Sequence, residues 1–167
     1  MLVLILTPIG GDLRPSTGQI LINGHSITRH TQAARLSLGV CPQFTAIDAQ
    51  LTVREHLLVY ARLKGLARGT DAQANVERVL AMTGLSAYAD RFASKLSGGN
   101  QRKLALAIAL IGNPSVLLID EFSSGVDAKM KRDMWTTLKH VAIGKAIVIT
   151  TRACPLCLAR SVVPSAH

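Results

Sequence analysis

An α/β chain is what the sequence predicts, on three observations. Leu96-Ser97-Gly98-Gly99-Asn100-Gln101-Arg102-Lys103 is a small-polar and glycine turn that opens a long apolar helical run. Gly112-Asn113-Pro114 breaks that run. Val116-Leu117-Leu118-Ile119 then reads as a short buried strand ending in two carboxylates, Asp120 and Glu121. Each part has a physical use. A helix N-terminus presents free N–H groups and a partial positive charge, which suits a phosphate. Adjacent glycines, here Gly98 and Gly99, let a ligand come close to the backbone. Acids at the end of a buried strand lie at a sheet edge, where α/β proteins bind ligands.

The remaining elements follow in chain order. Residues 1–6 are apolar and read as a strand, with Gly10-Gly11 behind them. They carry no preceding basic residue and are too short for a typical signal-peptide core. Residues 11–18 hold turn formers throughout, and 19–24 read as a short strand ending in a turn. Leu38-Gly39-Val40-Cys41-Pro42-Gln43 reads as an apolar strand ending at Gln43. Thr52-Val53-Arg54-Glu55 is a capping box. Val53, Leu57, Leu58, Ala61 and Leu63 then recur at helical spacing to about Lys64. Gly65 and Gly69 mark the exit. A second helix covers 71–84, with Val76, Val79, Leu80 and Met82 inward and Gly84 closing it. A third short helical piece covers 86–92, with Asp90, Arg91 and Lys95 as surface charges. Ser97 is the natural N-cap of a helix over 101–111, apolar nearly all round from Leu104 and therefore buried. Asp127 is placed to cap a helix over 128–141, and Gly144-Lys145 turns the chain into a strand over 146–150.

Composition bounds the function classes. The 167 residues suit one domain, and 49% hydrophobic residues supply a core. No apolar run approaches the roughly 18–20 residues that span a bilayer. The chain is therefore expected to be soluble or held at a membrane through a partner. The net charge of +9 is scattered, with one dense group at Lys129, Lys131 and Arg132. Aromatics make up 4% and none interleave with basic residues as stacking platforms, so no nucleic acid is expected. The odd count of three cysteines points to a reducing compartment. Cys154 and Cys157 form a lone CxxC without the about four ligands that zinc takes.

LSGGNQRKLALAIALIGNPSVLLIDE resembles the signature motif, following helix and Walker B strand of an ATP-binding cassette (ABC) ATPase. Its wording is most similar to the A subfamily of ABC transporters, which move lipids across membranes. The likeness covers about residues 11–151. It implies a P-loop NTPase-like α/β core with a mixed sheet and a helical subdomain inserted at about 50–96. It also implies ATP and Mg²⁺ as cofactors. By resemblance Gln43 is the Q-loop residue that reaches the magnesium and the attacking water, although by itself it is only a glutamine after a strand. Ser97, Gly98, Gly99 and Gln101 would contact ATP held by an opposite subunit, so a second nucleotide-binding domain is implied as partner. Read without the family, Ser97 is simply a helix cap. Asp120 would hold Mg²⁺ through water and Glu121 would act as general base; the plain alternative is a strand ending in two solvated acids. Asp127 would belong to the D-loop, where Phe122 stands in place of the usual proline, and can cap the next helix as well. The transmembrane domains of a transporter are the other implied partner, which puts the chain at the cytoplasmic face of a membrane.

The sequence departs from the family twice. No G-x-x-x-x-G-K-[ST] string, the phosphate-cradling Walker A loop, occurs in it. The alignment would end that loop near residues 1–4, where Met-Leu-Val-Leu does not fit, so the core is expected to be truncated at its N-terminus. After Thr150-Thr151 the family places a switch histidine, and this chain has Arg152. Residues 152–167 show no helical or strand period and are expected to form a divergent, unstructured tail, the mark of a changed reading frame or splice. Residues 1–151 are then a partial nucleotide-binding domain with negligible ATPase activity alone. Three other readings stand beside this one. The chain could be a non-catalytic module that donates LSGG to a partner, a DNA- or ribosome-associated ABC ATPase, or a truncated product without a stable fold.

Overall fold

The computed structural model describes residues 17–43, 47–67, 69–121 and 126–150. A small hairpin comes first, with β1 Leu21–Ile22 antiparallel to β2 His25–Ser26. Asn23 and Gly24 connect them at φ 50° and 78°. Asn-Gly at positive φ is the two-residue turn whose twist matches that of a hairpin. Helix α1, Thr31–Leu36, follows and was not expected from the sequence. It spans six residues, buries only Ala34 and has no side-chain cap at His30, so no apolar period announces it.

Among the described residues the central sheet has three parallel strands, in the order β3 Leu38–Cys41, β4 Val116–Asp120, β5 Ala146–Thr150. Register runs from Leu38 opposite Val116 to Cys41 opposite Ile119, and from Val116 opposite Ala146 to Asp120 opposite Thr150. All three strands therefore end together, and Asp120 and Thr150 share that edge. Antiparallel pairing among the described residues is confined to the separate hairpin and a single bridge between Thr52 and Phe92, and the described strands of the central sheet pair in parallel.

Between β3 and the next helix of the core lie α2 Val53–Leu63, α3 Thr70–Thr83 and two short 3₁₀ turns, Ser86–Tyr88 and Ala93–Lys95. The Thr52–Glu55 capping box forms as read, with each side chain accepting from the other residue's backbone N–H. Gly84 ends α3 in the left-handed region at φ 67°, a conformation glycine adopts at little cost. Arg54 on α2 pairs with Glu77 on α3 and, at 2.9 Å, with Asp90. Arg91 lies over the Tyr88 ring at 5.0 Å. The expected surface charges Asp90 and Arg91 are thus exposed but engaged.

Helix α4, Gly98–Leu110, is the spine of the molecule. Its residues Leu104 to Leu110 are all buried, because β3 lies on one side and α2 and α3 lie on the other. Gly39 permits this approach: a Cβ there would sit 2.1 Å from the Ala109 carbonyl oxygen. Helix α5, Ala128–Val141, buries only Met134, Leu138 and Val141. Among the described residues no helix is long and apolar enough to cross a membrane.

Candidate functional site

The expected site residues gather at the C-terminal edge of the sheet. Gln43 stands just past the end of β3, Asp120 ends β4, and Glu121 follows it. Gln43 Nε2 donates to Glu121 Oε2 at 2.8 Å, joining two segments 78 residues apart. Glu121 turns out of the strand at φ 43°, the left-handed region that non-glycine residues seldom occupy. Its N–H donates to the Thr150 carbonyl at 2.9 Å. Thr150 in turn donates its hydroxyl to Asp120 Oδ1. Both carboxylates are half-buried, and their positions are fixed by β5 as much as by β4.

The signature segment lies at the start of α4. Ser97 is the N-cap and accepts from the Asn100 N–H at 3.3 Å. Ser97 and Gly98 are exposed, and a Cβ on Gly98 would meet nothing within 4 Å. Gly99 differs. A Cβ there would lie 2.5 Å from Met130 Cε, so the missing side chain at 99 is used for packing against α5. The Gln101 amide turns back to the Ala93 carbonyl at 3.2 Å. The open edge of the signature is therefore Ser97–Gly98.

Asp127 is the N-cap of α5 and accepts from the N–H groups of Lys129 at 3.0 Å and Met130 at 2.9 Å. The bond from Met130, more than that from Lys129, holds its carboxyl below the usual range. Of the two roles expected for Asp127, the structure displays the cap. Phe122 and the rest of the 122–125 loop lie outside the described residues, as do residues 1–16 and 151–167, and with them the region of the expected phosphate loop and the Cys154–Cys157 pair.

A family model described as ABC transporter matches residues 4–124, most of the chain. The chain belongs to the ABC transporter family. It is 41% identical over 150 residues to ATP-binding cassette sub-family A member 7 of Mus musculus, covering 89% of this chain and 7% of that protein. It is 43% identical over 150 residues to the phospholipid-transporting ATPase ABCA7 of Homo sapiens, with the same coverage. With the retinal-specific phospholipid-transporting ATPase ABCA4 of Bos taurus it shares 43% over 152 residues, 88% of this chain and 6% of that protein. The chain thus spans under a tenth of the length of these relatives. Among solved structures it resembles a dimeric ATP-binding cassette in a post-hydrolysis state bound to ADP and Pi, with TM-score 0.76 and 25% identity over 90% of this chain and 69% of that one. An ATP-binding subunit of an ABC transporter matches with TM-score 0.73 and 25% identity, over 89% and 62%. The α/β ABC ATPase fold and the likeness to the A subfamily read from LSGG and VLLIDE are both borne out.

Three residues of this ABC domain's site escaped the sequence reading. Thr150 read only as the end of a strand, yet it holds Asp120. Met130 read as a helix residue, yet it covers Gly99. Arg102 read as part of the signature wording, and its guanidinium donates to the backbone carbonyl of Gln43. Only Arg102 left a signal, a cation early in a helix, where the dipole disfavours it unless a partner is at hand.

Proposed function

We propose that this ABC chain forms part of the nucleotide site of an A-subfamily transporter that drives phospholipid movement with ATP. The hydrogen bond from Gln43 to Glu121, next to Asp120, carries the reading. It brings an amide and two carboxylates to one edge, where a water and a terminal phosphate could be oriented. Glu121 is the general base toward that water, and Gln43 sets the orientation of its carboxylate. Asp120 is held in place for Mg²⁺ by Thr150. The donors suit that ion. Among the described residues no group of three or more His, Cys, Asp or Glu side chains could cage a metal. Magnesium is usually held by one or two carboxylates together with substrate phosphates and water. When bound, the ion offsets negative charge on the phosphates.

Ser97 and Gly98 present the open edge of α4 to ATP held by a second nucleotide-binding domain, with Gly99 and Gln101 behind them. Asp127 stands at the same border from the side of α5. Residues 50–96 act as the helical subdomain, which places the chain under transmembrane domains at the cytoplasmic face of a membrane.

A chimera tests this. Residues 17–150 would replace the matching segment of a phospholipid-transporting A-subfamily protein. Expected are ATP-dependent lipid movement and phosphate release, with release falling about 10²–10⁴-fold in Glu121→Gln. Hydrolysis that survives Glu121→Gln would sink the assignment of the base. The isolated chain has no Walker A string in its sequence. It is expected to release phosphate no faster than its own Glu121→Gln variant in a malachite-green assay.

A further inference from the structure

We propose that Arg102 is a positioning residue that sets the Gln43 amide on Glu121 by holding the Gln43 backbone. The inference rests on the reading of Gln43 and Glu121 given above. The Arg102 guanidinium, in the second turn of α4, donates to the Gln43 carbonyl oxygen, and the Gln43 side chain donates to Glu121 at 2.8 Å. Glu121 is bonded through its N–H to Thr150, which reaches Asp120. The signature helix is thus linked to both carboxylates by an unbroken run of hydrogen bonds, and Arg102 is its first member.

Three features make Arg102 more than an incidental contact. A hydrogen bond from a charged donor is about twice as strong as a neutral one. The bond goes to the backbone, so it fixes the chain at 43 whatever the side chain there does. Arg102 also stands next to the strand end through its bond to Gln43, and there its charge favours the Cys41 thiolate while that of Asp120 opposes it. The other end of β3 has its own cation. Lys64 at the close of α2 donates to the Arg35 carbonyl at 2.7 Å and to the Leu38 carbonyl. The strand that delivers Gln43 is therefore clamped at both ends by the helical layer, and only the Arg102 clamp touches Gln43.

The side-chain amide of Gln43 gives a direct readout in the full chain. In ¹⁵N-labelled protein its NH₂ pair is assigned by its loss in Gln43→Glu. The parent should show one proton of the pair shifted downfield by the carboxylate. Arg102→Gln should return the pair to the position of a solvated amide, Arg102→Lys should keep part of the shift, and Lys64→Met should leave it in place. Cys41 supplies the second measurement. In a Cys154→Ser, Cys157→Ser background it is the sole thiol, and its reaction with 5,5′-dithiobis(2-nitrobenzoate) should quicken about tenfold in Arg102→Gln, because the strand end opens more easily without the bond to Gln43, although loss of the Arg102 charge by itself disfavours the thiolate. Arg102→Lys serves both measurements if the glutamine variant does not fold. A parental pair already at the solvated position, a pair unmoved by Arg102→Gln, or equal loss of the shift in Lys64→Met would each overturn the proposal. None of these readouts needs ATP, so failure of the nucleotide reading would show separately, as absent hydrolysis in the chimera.

Discussion

Helices α4 and α5 meet at their first turns, where Met130 packs on Gly99, and they are held by opposite means. Helix α4 buries seven consecutive residues from Leu104 to Leu110. Helix α5 buries three, Met134, Leu138 and Val141, at intervals of one turn. A helix that is apolar all round has to be enclosed, whereas one with a single stripe needs one neighbour. Asp127 supplies what α5 lacks in burial by accepting two of its free N–H groups. The proposed site therefore has two unlike walls. One is fixed by packing and capped by a serine that does not titrate; the other depends on a cap that is a titrating group on the surface.

Substitutions in the enclosed wall should have the largest effects. Gly39→Ala puts a methyl group 2.1 Å from a backbone oxygen of α4, and backbone cannot rotate away. Overpacking of this kind costs about 1–3 kcal/mol and sometimes more, so a large fall in the urea midpoint is expected. A variant as stable as the parent would show that α4 can slide on the sheet. Leu106→Ala removes a fully buried side chain and should cost about 2–5 kcal/mol by the same measurement.

Cys41 tests the wall chemically. Burial, the largest cause, pushes its thiol up to about 12 from 9.0. Its thiolate at pH 8 is then about a thousandfold scarcer than in an unfolded chain, and iodoacetamide should label it only as fast as the fold opens. A raised acid makes the fold lose stability as pH climbs from the ordinary thiol value toward the folded one. Cys41→Ala should therefore flatten the alkaline fall in melting temperature.

The smallest effects belong to α5. Asp127→Ala should lower the melting temperature slightly and leave α4 amides protected against hydrogen exchange, while those of the first turn of α5 exchange sooner. Because the Asp127 carboxyl is lowered in the fold, its contribution is present above the ordinary carboxylate value. It disappears as pH falls through the lowered one. Acid should loosen α5 first, and simultaneous loss of both helices would erase the distinction between the walls.

Elements whose cause is local could be read from sequence. The capping box at Thr52, the stop at Gly84, the cap at Asp127 and the strand over 146–150 each depend on residues a few positions apart. Helix α1 could not be read, because Thr31–Leu36 buries one alanine against the hairpin and carries no period. His56 also passed unnoticed. It is buried in α2, with Nδ1 against the Thr52 carbonyl at 2.8 Å and Nε2 accepting from the Asp48 N–H at 3.0 Å. The same divide runs through the site. Resemblance pointed to Gln43, Asp120 and Glu121 one by one, but the bond from Gln43 to Glu121 and the grip of Thr150 on Asp120 depend on strand register. Register is decided by the whole sheet, not by a motif.

The backbone at Glu121 has one more consequence. A left-handed conformation costs an ordinary residue about 1–2 kcal/mol, and glycine or asparagine escapes much of that. Selection for thermal robustness alone would thus favour replacing Glu121, trading the proposed base for a relaxed turn. Consensus or computational stabilisation of this domain should leave position 121 untouched, since stability and usefulness pull there in opposite directions.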